Sequence, residues 1–159
     1  MTAPATTIRA KLAAQRQAYD VWGKATNAML TTTFDAAKEA AGSADREAAA
    51  GRWQGLLHGM TLAVKDNIDT AGVETTNGSL FFKGRLPNAN APVVDRLQRA
   101  GAIIVGKATL HEFAFGVRSY NPVIGQANNP YDLTRIPGGS SGGSGIAVAT
   151  GMADAALGT

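Results

Sequence analysis

The chain spaces its apolar residues at helical intervals in its first third and gathers them into short unbroken runs in its middle third. Ile8, Leu12, Tyr19 and Trp22 fall on one helical stripe, with alanine, arginine and glutamine between them, which predicts a helix loosened at Gly23. A second helical piece is expected from Phe34 to about Ala41, ending at Gly42. Ser43 then caps a third, in which Asp45 and Glu47 suit the positive end of the dipole, running to Gly51. The aromatic stripe reads as a docking face, and none of these helices carries a chemical signature.

From Leu56 the pattern changes. Met60 to Lys65 forms a buried strand that ends in the polar pair Asp66-Asn67, and a connection rich in glycine and threonine follows from Thr70 to Ser79. Asn90 is expected to cap a short helix carrying Val93, Val94, Leu97 and Ala100, stopped by Gly101. Ala102 to Gly106 is a second unbroken apolar run of strand length. Strand, helix, strand with continuous rather than alternating apolar runs points to a covered, largely parallel sheet. The last third holds Asn128-Asn129-Pro130 turns, a glycine- and serine-rich loop, a helix of small residues, and the terminal run Ala155 to Thr159. The fold class is therefore α/β: N-terminal helices followed by part of a mixed, largely parallel sheet flanked by helices. The helical segment covers residues 1–54 and the α/β domain residues 55–159.

Composition narrows the functional classes. The 159 residues are enough for one ordinary domain, with a net charge of +3 and no Lys/Arg cluster, so a nucleic-acid footprint is not expected. There is no cysteine, which removes disulfides, thiolate ligands and a cysteine nucleophile, and fits a reducing compartment. No apolar run approaches membrane-spanning length, and the first residues lack a signal-peptide pattern, so the expectation is a soluble cytoplasmic protein without a membrane partner.

Candidate chemistry concentrates at Pro137-Gly138-Gly139-Ser140-Ser141-Gly142-Gly143-Ser144-Gly145. Such a loop at a helix start aims N–H groups and hydroxyls at one point. It is not a phosphate-binding P-loop, which needs Gly-Lys-Ser/Thr, and it fails the dinucleotide pattern because Val148 stands where the last glycine belongs. Gly138-x-Ser140-x-Gly142 and Gly139-x-Ser141-x-Gly143 match a hydrolase elbow, but that site needs a later histidine, and His58 and His111 both precede the loop. His111-Glu112 does not continue into a zinc motif, since residue 115 is phenylalanine, so neither a metal nor another cofactor is expected. His111 then reads as an ordinary polar residue on a partly buried segment. Lys65, ending a buried strand, is costly there unless paired with a carboxylate such as Asp66 or Asp69, or neutral. A neutral lysine can act as a general base, and together with the hydroxyl-rich loop it supplies the parts of a Ser–Lys system, which needs no histidine.

Leu62-Ala63-Val64-Lys65-Asp66-Asn67-Ile68, Gly101 to Phe113, Asn129-Pro130-Tyr131-Asp132 and Pro137 to Ser144, in this order, resemble the amidase signature family over roughly Gly55 to Thr159. The resemblance implies an incomplete amidase signature fold and amide hydrolysis or transfer by a Ser–Ser–Lys triad. In that triad Lys65 would be the base and Ser140 the bridging serine, preceded by a cis peptide. Ser141 would be a supporting hydroxyl in a loop built by Gly138, Gly139, Gly142 and Gly143, with His111 and Phe113 as candidates for facing substrate. The family's nucleophilic serine and oxyanion hole lie in a second Gly-Gly-Ser segment shortly after the equivalent of Thr159. The resemblance therefore implies that the 159-residue chain is inactive alone, and its strands Met60–Lys65 and Ala102–Gly106, which read as buried on both faces, are expected to leave it poorly stable without the remainder of the amidase chain. Expected partners are a small-molecule amide and that remainder, with a homo-oligomer left open. Two alternatives stand beside the hydrolase: the amidase subunit of a tRNA-dependent amidotransferase, and a non-catalytic module that keeps the N-terminal fold.

Overall fold

The computed structural model describes residues 7–159. Helix α1 (Ile8–Thr26) starts where the Thr7 side chain accepts from the Ala10 N–H and the Asp45 carboxylate accepts from the N–H groups of Ile8 and Arg9. Gly23 does not interrupt it. A Cβ there would come within 2.5 Å of the Tyr19 ring, so the glycine makes room for an aromatic side chain.

Helix α2 (Phe34–Ala49) corrects the expected break at Gly42. Gly42 lies in its interior, beside the Arg9 side chain, and Ser43 accepts from Arg46 rather than capping a new helix. One continuous amphipathic face, through Phe34, Ala37, Ala41 and Ala44, outweighs the weak local preference of a single glycine. Between α1 and α2 runs a strand that the apolar pattern does not announce, β1 (Met29–Thr32).

The central strands are β2 (Thr61–Lys65) and β3 (Ile103–Ala108), buried at every position as their unbroken apolar runs imply. With the terminal strand β6 (Ala155–Leu157) they form a four-stranded sheet in the order β1-β3-β2-β6. The β2–β3 and β2–β6 pairs are parallel and β1–β3 is antiparallel, giving the mixed, largely parallel sheet expected. A two-stranded ladder, β4 (Tyr120–Asn121) with β5 (Gly125–Gln126), stands apart from it.

Helix α3 (Pro92–Arg99) covers one face, where Val94 packs with Leu62, Val64 and Ile104. Its N-cap is Ala91, with Pro92 opening the first turn, and not Asn90 as the sequence pattern suggests. Asn90 instead ties the helix to the preceding loop, accepting from the Ala71 N–H and donating to Asp95 and Gln98. On the other face Leu12, Phe34 and Ala37 from α1 and α2 pack with Ala63, Ile103 and Val105, together with Ile146 and Ala147 of helix α4 (Gly142–Ala149). Fully burying one such valine or isoleucine contributes about 1.5–3 kcal/mol. No helix among the described residues is long and apolar enough to cross a membrane.

One irregularity decides where the two buried lysines point. The β2–β3 register shifts between Leu62 and Ala63, so that Val64 pairs with Lys107 and Lys65 with Ala108. Neighbours along a strand face opposite sides. Lys107 thus shares Val64's side of the sheet, and Lys65 shares the side of Ala63 and Ala108, beneath α4.

Candidate active site

Lys65 is the last residue of β2 and is 0 % exposed. Its Nζ donates to Ser140 Oγ at 2.7 Å and to Thr159 Oγ1 at 2.6 Å, joining residues 75 and 94 positions away in the chain. Neither Asp66 nor Asp69 pairs with it. Asp66 turns to the other side, where its Oδ2 accepts from the N–H and hydroxyl of Thr76 and its Oδ1 lies 3.5 Å from Lys107 Nζ. Asp69 is held by a two-pronged contact from Arg85 at 2.7 Å for both bonds. With no carboxylate paired to it among the described residues, burial pushes the Lys65 amine below its ordinary value. A lysine so placed is drawn toward its neutral form, in which Nζ can accept a proton.

The glycine- and serine-rich loop is pinned from several sides. The Gly139–Ser140 peptide is cis, as the family resemblance implies. The Ser140 carbonyl accepts from the His111 N–H at 3.0 Å, and the Gly143 N–H donates to the Thr109 carbonyl at 3.0 Å. Gly143 has no room for a side chain: a Cβ would sit 2.4 Å from Thr109 N and 2.5 Å from Ala28 O. Ser141 stands just before α4 and meets the chain end twice, accepting from the Thr159 N–H at 3.2 Å and donating to its carbonyl at 3.3 Å. Ser144 donates to the Leu157 carbonyl at 2.7 Å, which fastens α4 to β6.

Of the residues singled out from sequence, the structure brings Lys65 and Ser140 into direct contact, with Ser141 joined to them through Thr159. Gly138 and Gly142 flank the pair and are bridged by Ser119, whose hydroxyl donates to the Gly138 carbonyl and accepts from the Gly142 N–H. His111 reaches Ser140 through its backbone, while its ring accepts from the Arg118 N–H and lies against Gly116. Phe113 is half exposed, and its aromatic contact is with Phe82, ring centroids 6.3 Å apart.

Three features were not read from the sequence. Thr159 contacts both Lys65 and Ser141, and Ser119 holds the loop; neither has a local signature. The Asp66–Lys107 pair did have one, because Lys107 interrupts a buried strand just as Lys65 ends one. Lys107 also donates to the Ile68 carbonyl at 2.8 Å and to Thr75 Oγ1 at 2.5 Å, so it fastens the loop leaving β2 to the sheet.

The mixed α/β sheet thus ends one buried strand in a lysine that pairs with no carboxylate among the described residues, set against a serine of a glycine-rich loop. The chain belongs to the Amidase family, whose model matches residues 12–159. It is 48% identical over 132 residues to a glutamyl-tRNA(Gln) amidotransferase subunit of Anaeromyxobacter sp. (strain K), covering 83% of this chain and 27% of that protein. Among solved structures, the peptide amidase of Stenotrophomonas maltophilia superposes with a TM-score of 0.86 at 34% identity, covering 94% of this chain and 32% of that one. A glutamyl-tRNA(Gln) amidotransferase subunit from Thermotoga maritima is 45% identical with a TM-score of 0.63, over 65% of this chain and 23% of that one. The chain thus spans about a quarter of the length of the curated relatives it matches.

Proposed function

We propose that this chain carries the proton-relay half of an amide-cleaving site, with Lys65 as the base and Ser140 as the bridging hydroxyl. The observation that carries the reading is the 2.7 Å contact between a wholly buried Lys65 without a carboxylate partner and Ser140. An alcohol attacks an amide poorly while it keeps its proton. In the proposed sequence an attacking serine gives its proton to Ser140 as Ser140 passes its own to neutral Lys65. The new C–O bond forms a tetrahedral adduct. Its collapse breaks the C–N bond, and the leaving amine receives the proton back from Lys65 through Ser140. Acyl transfer to water, or to another acceptor, repeats the relay and restores the serine. Such general acid–base assistance is typically worth about 10²–10⁴-fold.

The attacking serine and the N–H groups of the oxyanion hole belong, by the family resemblance, to a Gly-Gly-Ser segment downstream of Thr159. The activity is therefore proposed for the whole protein. The contacts of Thr159 with Lys65 and Ser141 support this, because they bring the chain leaving β6 to the relay.

A second reading, the amidase subunit of a tRNA-dependent amidotransferase, is favoured by the 48% identity with a glutamyl-tRNA(Gln) amidotransferase subunit. Both readings share the relay and differ in the fate of the released ammonia. The deciding experiment assays ammonia release from simple carboxamides and from glutamine by the full-length protein. The same preparation, with its co-purifying subunits, is then tested for glutamine-dependent amidation of glutamyl-tRNA. Amide cleavage that disappears in Lys65→Ala and Ser140→Ala supports the relay, and undiminished cleavage in either variant refutes it.

A further inference from the structure

We infer that Ser119 is a positioning residue, whose hydroxyl sets the loop so that Ser140 Oγ stays within reach of Lys65 Nζ. This rests on the Lys65–Ser140 reading above. Ser119 is 0 % exposed and lies 21 positions before Ser140, outside the glycine- and serine-rich stretch. Its Oγ donates to the Gly138 carbonyl at 2.7 Å and accepts from the Gly142 N–H at 2.9 Å. One hydroxyl therefore clamps the loop on both sides of Ser140, using its single proton in one direction and a lone pair in the other.

The surroundings are shaped to this clamp. A Cβ on Gly142 would fall 2.3 Å from Ser119 Oγ, and one on Gly139 would fall 2.8 Å from it, so both glycines leave space for the hydroxyl. Ser119 itself has φ +54°, a left-handed conformation uncommon for a residue other than glycine, asparagine or aspartate. Its carbonyl accepts from the Ala127 N–H at 3.0 Å, which anchors the backbone that presents the side chain. A glycine would fit that backbone with less strain, so backbone geometry alone does not account for a serine here. The hydroxyl accounts for it: without it, the Gly142 N–H, which is buried, loses its partner.

The Ser119 hydroxyl also lies 3.5 Å from the Ser140 carbonyl, but it makes no hydrogen bond with Lys65 or Ser140 Oγ, so it acts through the loop and not in the proton transfer. The test compares Ser119→Ala and Ser119→Gly in the full-length protein. Both remove the hydroxyl, and the glycine variant also relieves the positive φ. The expected result is a loss in kcat on the order of 10²-fold for each, as for a misplacement of about 1 Å, with KM little changed. Both variants should keep cooperative thermal unfolding near that of the parent. Crystal structures of the variants should show Ser140 Oγ displaced beyond hydrogen-bond reach of Lys65 Nζ.

Parental kcat in either variant, or an unmoved Ser140 in its structure, overturns the inference. So does global unfolding of both variants, which would make the hydroxyl a requirement of the whole fold rather than of the loop. Ser140→Ala separates this failure from failure of the relay. If Ser140→Ala is inactive while the Ser119 variants keep full activity, only the positioning role falls. If Ser140→Ala is fully active, the relay falls and the positioning role falls with it.

Discussion

Lys65 and Lys107 stand on adjacent parallel strands and both are wholly buried, yet only Lys107 has a carboxylate within ion-pair distance. Two identical side chains on neighbouring strands thus meet opposite electrostatic conditions. Asp66, the residue next to Lys65, goes to Lys107, because neighbours along a strand point to opposite faces. The alternation that separates Asp66 from Lys65 is what leaves the Lys65 amine without an anion.

Removing Lys107 should therefore damage stability. Lys107→Met leaves Asp66 buried and uncompensated, and the expected loss in unfolding free energy is roughly 3–5 kcal/mol. Adding Asp66→Asn should recover much of it, because the orphaned charge is gone. Burial already pushes the Asp66 carboxyl up from its ordinary value, opposed by its bonds to Thr76 and its attraction to Lys107. Protonation removes the stranded charge, so the loss in Lys107→Met should shrink as pH falls through the raised Asp66 pKa and grow as pH rises. Denaturant titrations of the parent, Lys107→Met and the double variant at acidic and neutral pH check both points.

In the proposed function Lys65 and Ser140 belong to one relay. Lys65→Ala and Ser140→Ala should each lower turnover of the full-length protein by about 10²–10⁴-fold with the fold intact. The double variant should be little worse than the worse single one, since residues acting as a unit are not additive. Steady-state kinetics of the three variants measure this, and multiplicative losses would mean that the two residues act separately.

Two glycines of α4 should respond in opposite directions. A methyl at Gly143 would press on the backbone of Thr109 and Ala28, so Gly143→Ala should cost about 1–3 kcal/mol and disturb Ser140 nearby. Nothing lies within 4 Å of a Cβ at Gly145, so Gly145→Ala should be neutral or stabilising by up to roughly 1 kcal/mol through helix propensity. Thermal unfolding of the two variants side by side gives the comparison.

The parts legible in the sequence were those whose signal is local. Lys65 stood out because a lysine closes an apolar run, and the loop by its run of glycine and serine, within which only the family resemblance singles out Ser140. The buried strands β2 and β3 announced themselves as unbroken apolar stretches. Strand β1 did not: its four residues, Met-Leu-Thr-Thr, are held by pairing with β3, far along the chain. The break expected at Gly42 failed because burial of one helix face outweighs one glycine. Ser119 and Thr159 were unreadable for the same reason as β1, since their partners lie 23 and 94 positions away and only the tertiary fold makes them neighbours.

Whether Lys65 titrates as the base of the proposed relay is tested most directly by replacing its amine with a more acidic one. This chain has no cysteine, so Lys65→Cys can be alkylated within it to the thioether analogue of lysine, whose amine loses its proton at lower pH. A relay with neutral Lys65 gains activity as pH rises through the lysine's pKa, which burial places below the ordinary 10.5. The pH–rate profile of the alkylated full-length protein, with any cysteines outside this chain replaced beforehand, should recover activity absent from Lys65→Cys, and its rising limb should move to lower pH. A rising limb unchanged from that of the parent enzyme would show that another group titrates and that Lys65 is not the base.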